Sequence, residues 1–191
     1  FITLLLSVFP GGNVAAQTRD AVFAGGCFWC LEGPFAALPG VIETQAGYTG
    51  GKLPNPTYED VSAGTSGHIE AMRVVYDPDK VDFEKLLAVF WRNIDPTDAG
   101  GQFCDRGPQY RSAIFFADKA EEALARGGKT KLEEVRGFKI ATEILPRTEF
   151  YAAEEYHQDY YKKNPLRYHF YRQGCGRDLR LKQIWGTEPK P

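Results

Sequence analysis

Between residues 20 and 117 turn signals cut the chain into six segments, and the order in which they come leaves few folds open. Residues 20–24 form a short strand candidate that ends on Gly25-Gly26. A helix opens at Cys27 and stops near Pro39-Gly40, with Gly33-Pro34 expected to break or kink it. Residues 41–46 can form a second strand. The stretch 47–67 is rich in Gly, Pro, Asn, Thr and Ser and reads as a long loop, a kind of segment that usually carries function. Residues 68–76 alternate and close on Asp77-Pro78, which makes them a third strand. Asp82 then caps a helix with Phe83, Leu86, Leu87, Phe90, Trp91 and Ile94 at helical spacing, closed by Asp95-Pro96. After a second polar loop over 97–109, residues 111–117 give a fourth strand. The order β-α-β-β-α-β is that of a split, ferredoxin-like unit. The expected fold class is therefore α+β, a two-layer α/β sandwich. Beyond this core come a charged helix over 118–135 weakened by Gly127-Gly128, and a strand over 140–145. A helix capped by Thr148 runs to about residue 163, and a long extended C-terminal tail follows.

The length of 191 residues gives a single domain as the default, assigned to residues 17–191. Residues 1–16 read differently. An apolar run over 1–9 is followed by Pro10-Gly11-Gly12 and Val14-Ala15-Ala16, which fits the remnant of an export signal cleaved before Gln17. The run is shorter than the roughly 20 residues a membrane-spanning helix needs. Export places the mature chain in the periplasm or outside the cell, with no membrane partner once the signal is removed; without export the chain is cytoplasmic. A net charge of −2 provides no basic field for nucleic acid. Nothing demands more than a monomer.

Chemistry concentrates at Gly25-Gly26-Cys27-Phe28-Trp29-Cys30, at the first strand-to-helix junction. A cysteine at a helix N-terminus faces unpaired N–H groups and the positive end of the dipole, both of which favour thiolate. Phe28 and Trp29 either enter the core or wall a pocket beside the sulfur. Cys30 completes a C-x-x-C, which admits a thioredoxin-like redox pair. Zinc lacks two further ligands, since no second C-x-x-C or paired histidines occur, and no metal is expected. On the third strand, Glu70 shares a face with Met72 and Val74. Burial of that face raises the carboxyl pKa and yields an acid that holds its proton near neutral pH, as reduction of an S=O bond requires. His68, two residues away, is structural or simply exposed. The polar loops add Tyr58 and the run from Gln102 through Cys104, Asp105 and Arg106 to Tyr110, whose phenolic hydroxyls are uncharged donors. Three readings stay open on this basis: a sulfoxide reductase, a general thiol–disulfide oxidoreductase on Cys27 and Cys30, and a non-catalytic module with structural cysteines.

The stretches GGCFWC at 25–30, AGYTGG at 46–51, NPTYEDV at 55–61, GHIEAMRVVYDP at 67–78, VFWRNIDPTD at 89–98, QFCDRGPQYRSAIF at 102–115 and EEYHQDYYKKNPLRY at 154–168 together resemble the A-type peptide-methionine sulfoxide reductases, which act on the S epimer. The likeness covers about residues 20–185. The resemblance implies that Cys27 is the nucleophile and Glu70 the acid. Phe28 and Trp29 then wall the pocket for the S-methyl group, Tyr58 and Tyr110 bind the sulfoxide oxygen, and Asp105 holds substrate or nearby water. It further implies a Cys27 sulfenic acid, an intramolecular disulfide, and reduction from outside by thioredoxin or another dithiol, with no bound cofactor. The implied partners are oxidised proteins or peptides carrying methionine sulfoxide. Family members often carry Gly or Ala at the position of Cys30 and a resolving cysteine in a mobile C-terminal tail. Cys175, between two glycines, is thus expected to resolve, with Cys30 second, and Cys104 is expected to be structural. Tyr151, Tyr156, Tyr160 and Tyr161 are assigned to packing on one helix.

Overall fold

A computed structural model describes residues 17–186; the apolar run and small residues read as an export signal lie outside the described residues. Elements follow in the order β1 (Arg19–Gly25), α1 (Trp29–Ala36), β2 (Val41–Thr49), α2 (Tyr58–Ser62), β3 (Ile69–Tyr76) and α3 (Phe83–Arg92). Next come β4 (Gly101–Gln102), β5 (Asp105–Arg106), a 3-10 turn (Pro108–Tyr110), β6 (Ser112–Phe116), α4 (Lys119–Arg136), β7 (Glu143–Pro146) and β8 (Tyr151–Ala152). Three helices close the described chain, α5 (Tyr160–Lys163), α6 (Pro165–Gly174) and α7 (Arg177–Trp185).

The main sheet runs β7-β6-β1-β3-β2-β8. Its four inner strands, β6-β1-β3-β2, pair antiparallel throughout, and with α1 and α3 they make the split β-α-β-β-α-β unit. β1 sits at the centre because both of its faces are apolar. Phe23 turns toward the helices and stacks on Phe35, Phe83 and Phe90 with ring centroids 5.1, 6.0 and 5.2 Å away. Val22 and Ala24 turn the other way onto Ile69, Ala71, Ala113 and Phe115. The same alternation splits β3. Met72, Val74 and Tyr76 enter the main core while Ile69 and Ala71 join the second face, so Glu70 is carried to the helix side. At the start of α3, Asp82 accepts from the Lys85 N–H at 2.7 Å.

Several expectations are corrected. Pro34 lies inside α1, which nevertheless continues to Ala36. The region 47–67 is not loop throughout, since β2 extends to Thr49 and Thr57 caps α2 with a reciprocal bond to Asp60. Likewise 97–109 contains the β4–β5 hairpin, and α4 passes unbroken through Gly127-Gly128. Thr148 caps no helix. Its hydroxyl lies 3.0 Å from that of Thr49 and accepts from the Gly50 N–H, so the chain runs on as β8 against β2. Tyr151, Tyr156, Tyr160 and Tyr161 accordingly do not share a helix. The tail is helical: Pro165 opens α6, where a missing N–H costs nothing, and Gly176 in a left-handed conformation (φ 64°) separates α6 from α7. Among the described residues no helix is long and apolar enough to cross a membrane.

Candidate active site

The turn from β1 into α1 places Cys27. Gly26 takes a φ of +77°, and a Cβ there would lie 2.5 Å from Cβ of Gln102, so only glycine lets this turn close against the β4–β5 hairpin. Gln102 is itself fixed, accepting from the Asp95 N–H at 2.8 Å and donating to the Asp95 carbonyl at 2.7 Å. Cys27 precedes the first turn of α1 and Cys30 lies within it; both are free and buried. The Cys30 N–H donates to the Cys27 carbonyl at 3.1 Å.

A cavity of about 100 Å³ opens beside the Cys27 sulfur. It is lined by Cys27, Phe28, Trp29, Tyr58, Glu70, Asp105, Tyr110 and Tyr171. The structure thus brings together Cys27, Glu70, both walls, both tyrosines and Asp105 from the β1–α1 turn, α1, α2, β3, β5 and the 3-10 turn. A larger groove of about 590 Å³ between α3 and α4 is lined by no cysteine and no tyrosine, whereas the smaller cavity is lined by the free thiol of Cys27.

Glu70 is 2% exposed and accepts from the Phe28 N–H at 3.1 Å. Burial pushes its carboxyl up to about 8, with the negative charges of Asp105 and Cys30 adding to the rise and the Phe28 N–H opposing it. The acid therefore keeps its proton at neutral pH. Burial likewise raises the hydroxyls of Tyr58 and Tyr110, as do the nearby charges of Glu70 and Cys27, so both remain donors. Asp105 is also raised by burial.

The two thiols titrate as a pair. Burial pushes Cys27 well above the usual thiol range, with Cys30 and Glu70 adding to it, which corrects the expectation that its place at the start of the helix favours the thiolate. The hydrogen bond from Cys27 draws Cys30 down to about 6 against the opposing effect of burial, with Arg177 and Arg172 assisting. One proton thus serves two sulfurs, and moving it from Cys27 to Cys30 exposes a Cys27 thiolate without charging the site further. Protonation of Glu70 removes a repulsion from that thiolate.

Trp29 is held from three sides. Its indole N–H donates to Nδ1 of His157 at 3.1 Å, its face stacks on Tyr160 at 3.7 Å and 5°, and Tyr171 meets it edge-on at 5.7 Å. His157 is buried and its ring is kept toward the neutral form by desolvation. The carboxylate of Glu154 accepts from the Tyr58 N–H and from the Tyr48 hydroxyl, both at 2.8 Å. The segment EEYHQDYY is therefore a backplate that sets Trp29 and Tyr58 rather than a packing helix. His68 is buried and pins the loop after β2, accepting from the Gly51 N–H and bonding the Leu53 carbonyl.

Cys175 is not poised on Cys27. It ends α6 and forms a disulfide with Cys104, which corrects its placement in a mobile, extended tail. Cys104, Asp105 and Cys175 present potential ligand atoms within 4.8 Å of one another, but the two sulfurs are bonded to each other. Sequence reasoning missed Tyr171, His157, Glu154 and Arg177. Arg177 is 1% exposed, donates to the carbonyls of Gly25 at 3.1 Å and Asn93 at 2.7 Å, and lies over the Phe103 ring at 4.3 Å. A single buried guanidinium thereby ties α7 to the turn that presents Cys27.

The chain is similar in sequence and in fold to known proteins. A family model described as peptide methionine sulfoxide reductase matches residues 19–189. The chain is 55% identical to a peptide methionine sulfoxide reductase MsrA 2 of Caulobacter vibrioides, over 90% of this chain and 88% of that protein. Among solved structures it resembles reduced Mxr1 of Saccharomyces cerevisiae, with a TM-score of 0.75, 33% identity and coverage of 79% and 88%. It also resembles Mxr1 in complex with Trx2, with a TM-score of 0.54, 25% identity and coverage of 76% and 86%.

Proposed function

The chain belongs to the peptide methionine sulfoxide reductase family, and from that premise we propose that it reduces methionine-S-sulfoxide in proteins and peptides through a Cys27 thiolate with Glu70 as the acid. It is a thiol-dependent oxidoreductase. The observation that carries the proposal is the convergence of a buried thiol and a proton-bearing carboxyl on one aromatic cavity.

The substrate methyl group packs against Phe28 and Trp29, the sulfoxide oxygen accepts from Tyr58 and Tyr110, and Asp105 holds substrate or a nearby water. Cys27 attacks the sulfoxide sulfur as its proton moves to Cys30, and Glu70 protonates the departing oxygen. The S–O bond of the substrate breaks and the protonated oxygen passes to the Cys27 sulfur, forming a new S–O bond, so that methionine leaves with two electrons gained and Cys27, two electrons poorer, is left as a sulfenic acid. Cys30 then attacks the Cys27 sulfur, an S–S bond forms, and the oxygen leaves as water. The free, adjacent Cys30 thiol and the engagement of Cys175 with Cys104 support Cys30 as the resolving residue. An external dithiol restores the pair, and the yeast relative solved with Trx2 supports a thioredoxin-type donor. No bound cofactor takes part in these steps. A monomer suffices for them, and the apolar run at the start of the sequence supports export of the chain.

The direct test is turnover of a peptide carrying each methionine sulfoxide epimer, with dithiothreitol as reductant. Conversion of the S epimer alone is expected; no conversion of either would overturn the proposal.

A further inference from the structure

Tyr171 is the one residue lining the cavity that comes from the C-terminal helices. We propose that Tyr171 is a further catalytic residue, its hydroxyl donating to the Cys27 sulfur when that sulfur is charged and resting on Asp105 when it is not. The proposal rests on the reductase reading above for the identity of the reaction, though its first test needs no sulfoxide.

Three observations place the hydroxyl. It donates to Oδ2 of Asp105 at 2.5 Å, it belongs to a side chain that lines the same small cavity as Cys27, and its ring packs edge-to-face with Trp29. A phenol has one proton, so Asp105 and Cys27 compete for it. Burial, together with the charges of Cys27 and Cys30, keeps this hydroxyl protonated, so it gives a hydrogen bond and never a proton. That is the form of help a buried thiolate needs, because an anion removed from water without a donor is disfavoured.

The tail is built to hold this geometry. The Tyr171 carbonyl accepts from the Cys175 N–H at 2.9 Å. Cys175 is bonded to Cys104, the neighbour of Asp105. The disulfide thus runs parallel to the Tyr171–Asp105 bond and fixes both of its ends. Arg177, two residues past Cys175, anchors the same tail on the Gly25 carbonyl before Cys27.

Besides Tyr171 on α6, the titratable groups facing Cys27 are Cys30 on α1, Tyr58 on α2, Glu70 on β3, Asp105 on β5 and Tyr110. The test therefore changes only the hydroxyl. Tyr171→Phe keeps the ring and its contact with Trp29. Alkylation of Cys27 by iodoacetamide, located by peptide mass mapping across pH, reads the thiolate directly. The variant should shift the Cys27 alkylation profile upward by about one pH unit, and lower kcat/KM roughly 10- to 100-fold, the size of one hydrogen bond to a charged group. An alkylation profile identical to the parent overturns the proposal whether or not the parent reduces sulfoxides. A parent with normal Cys27 alkylation but no sulfoxide turnover would instead sink the reductase reading. As a second route, Asp105→Asn replaces the charged acceptor with a weaker neutral one and so loosens the hydroxyl's hold on residue 105 in favour of the sulfur. Its effect on the alkylation profile should shrink in the Tyr171→Phe background, and equal effects in both backgrounds also overturn the proposal.

Discussion

The carboxyl group of Glu70 accepts from the backbone N–H of Phe28 at 3.1 Å, so the candidate acid is fixed to the residue that follows the candidate nucleophile. The contact joins β3 to the start of α1 across 42 residues of sequence, and it holds one carboxyl oxygen while the residue lines the cavity. Any movement of the cysteine turn carries the acid with it. This pairing leads to the first expectation.

Glu70→Gln keeps the shape and the Phe28 contact but has no proton to give. Its kcat/KM should fall by roughly 10²- to 10⁴-fold, while Cys27 still reacts with iodoacetamide. A general thiol–disulfide oxidoreductase using Cys27 and Cys30 would lose almost nothing. In the parent enzyme, activity should decline as pH rises through about 8, where Glu70 gives up its proton.

The same group gives a stability prediction of opposite sense. The folded pKa of Glu70 lies above its unfolded value, so the folded state binds the extra proton. The stabilising contribution is complete below about 4.5 and is lost as pH rises toward 8. At pH 8.5 Glu70→Gln should therefore be more stable than the parent, by on the order of 1–4 kcal/mol, as measured by urea unfolding. A less stable variant at that pH would contradict the buried, proton-bearing carboxyl.

Glu32 behaves alike at a distance from the chemistry. Its side chain is fully buried, accepts from the Asp159 N–H at 2.9 Å and is pushed by burial up to about 7. Stability should again fall as pH rises from about 4.5 to 7, and Glu32→Gln should flatten that slope in a series of thermal melts. Glu32→Leu loses the bond to Asp159 and releases Tyr160, the residue after it.

Tyr160 stacks flat on Trp29 and reaches no reacting atom. Tyr160→Leu should raise KM about 2- to 10-fold, the worth of one aromatic pair, and leave kcat within a factor of two. Steady-state kinetics on a sulfoxide peptide separate the two constants.

On the proposed mechanism the two free cysteines, Cys27 and Cys30, react, and the Cys104–Cys175 disulfide is a staple. Cys30→Ser should yield one methionine per enzyme, more slowly than the parent because the acceptor of the Cys27 proton is lost, and then stop with thioredoxin as donor, whereas the Cys104→Ser, Cys175→Ser double variant should continue to turn over. That double variant should lose about 2–4 kcal/mol of stability, because the disulfide closes a 71-residue separation.

The core was legible because each of its elements carries a local signal. Asp77-Pro78 and Asp95-Pro96 stop β3 and α3, Asp82 caps α3, and the alternation in β3 puts Glu70 on the Met72 face. The C-terminal helices were not legible, since no residue of α6 is fully buried and no apolar stripe marks it. Asn164-Pro165 and Gly176 were the signals that could have bounded it. Tyr171 was one of ten tyrosines, and only the α6 placement beside Asp105 distinguishes it. Arg177 reads as a surface cation until the fold offers it two buried carbonyls, 152 and 84 residues away. Cys175 looked mobile between two glycines because its partner, Cys104, lies 71 residues away, a pairing that no local pattern announces.

Peptide mass mapping under non-reducing conditions, after a single turnover of a methionine-S-sulfoxide peptide without added reductant, tests the central account most directly. It should yield one methionine per enzyme, a new Cys27–Cys30 disulfide and an intact Cys104–Cys175 disulfide. Methionine formation with Cys27 and Cys30 still reduced, or a disulfide from Cys27 to Cys175, would contradict it.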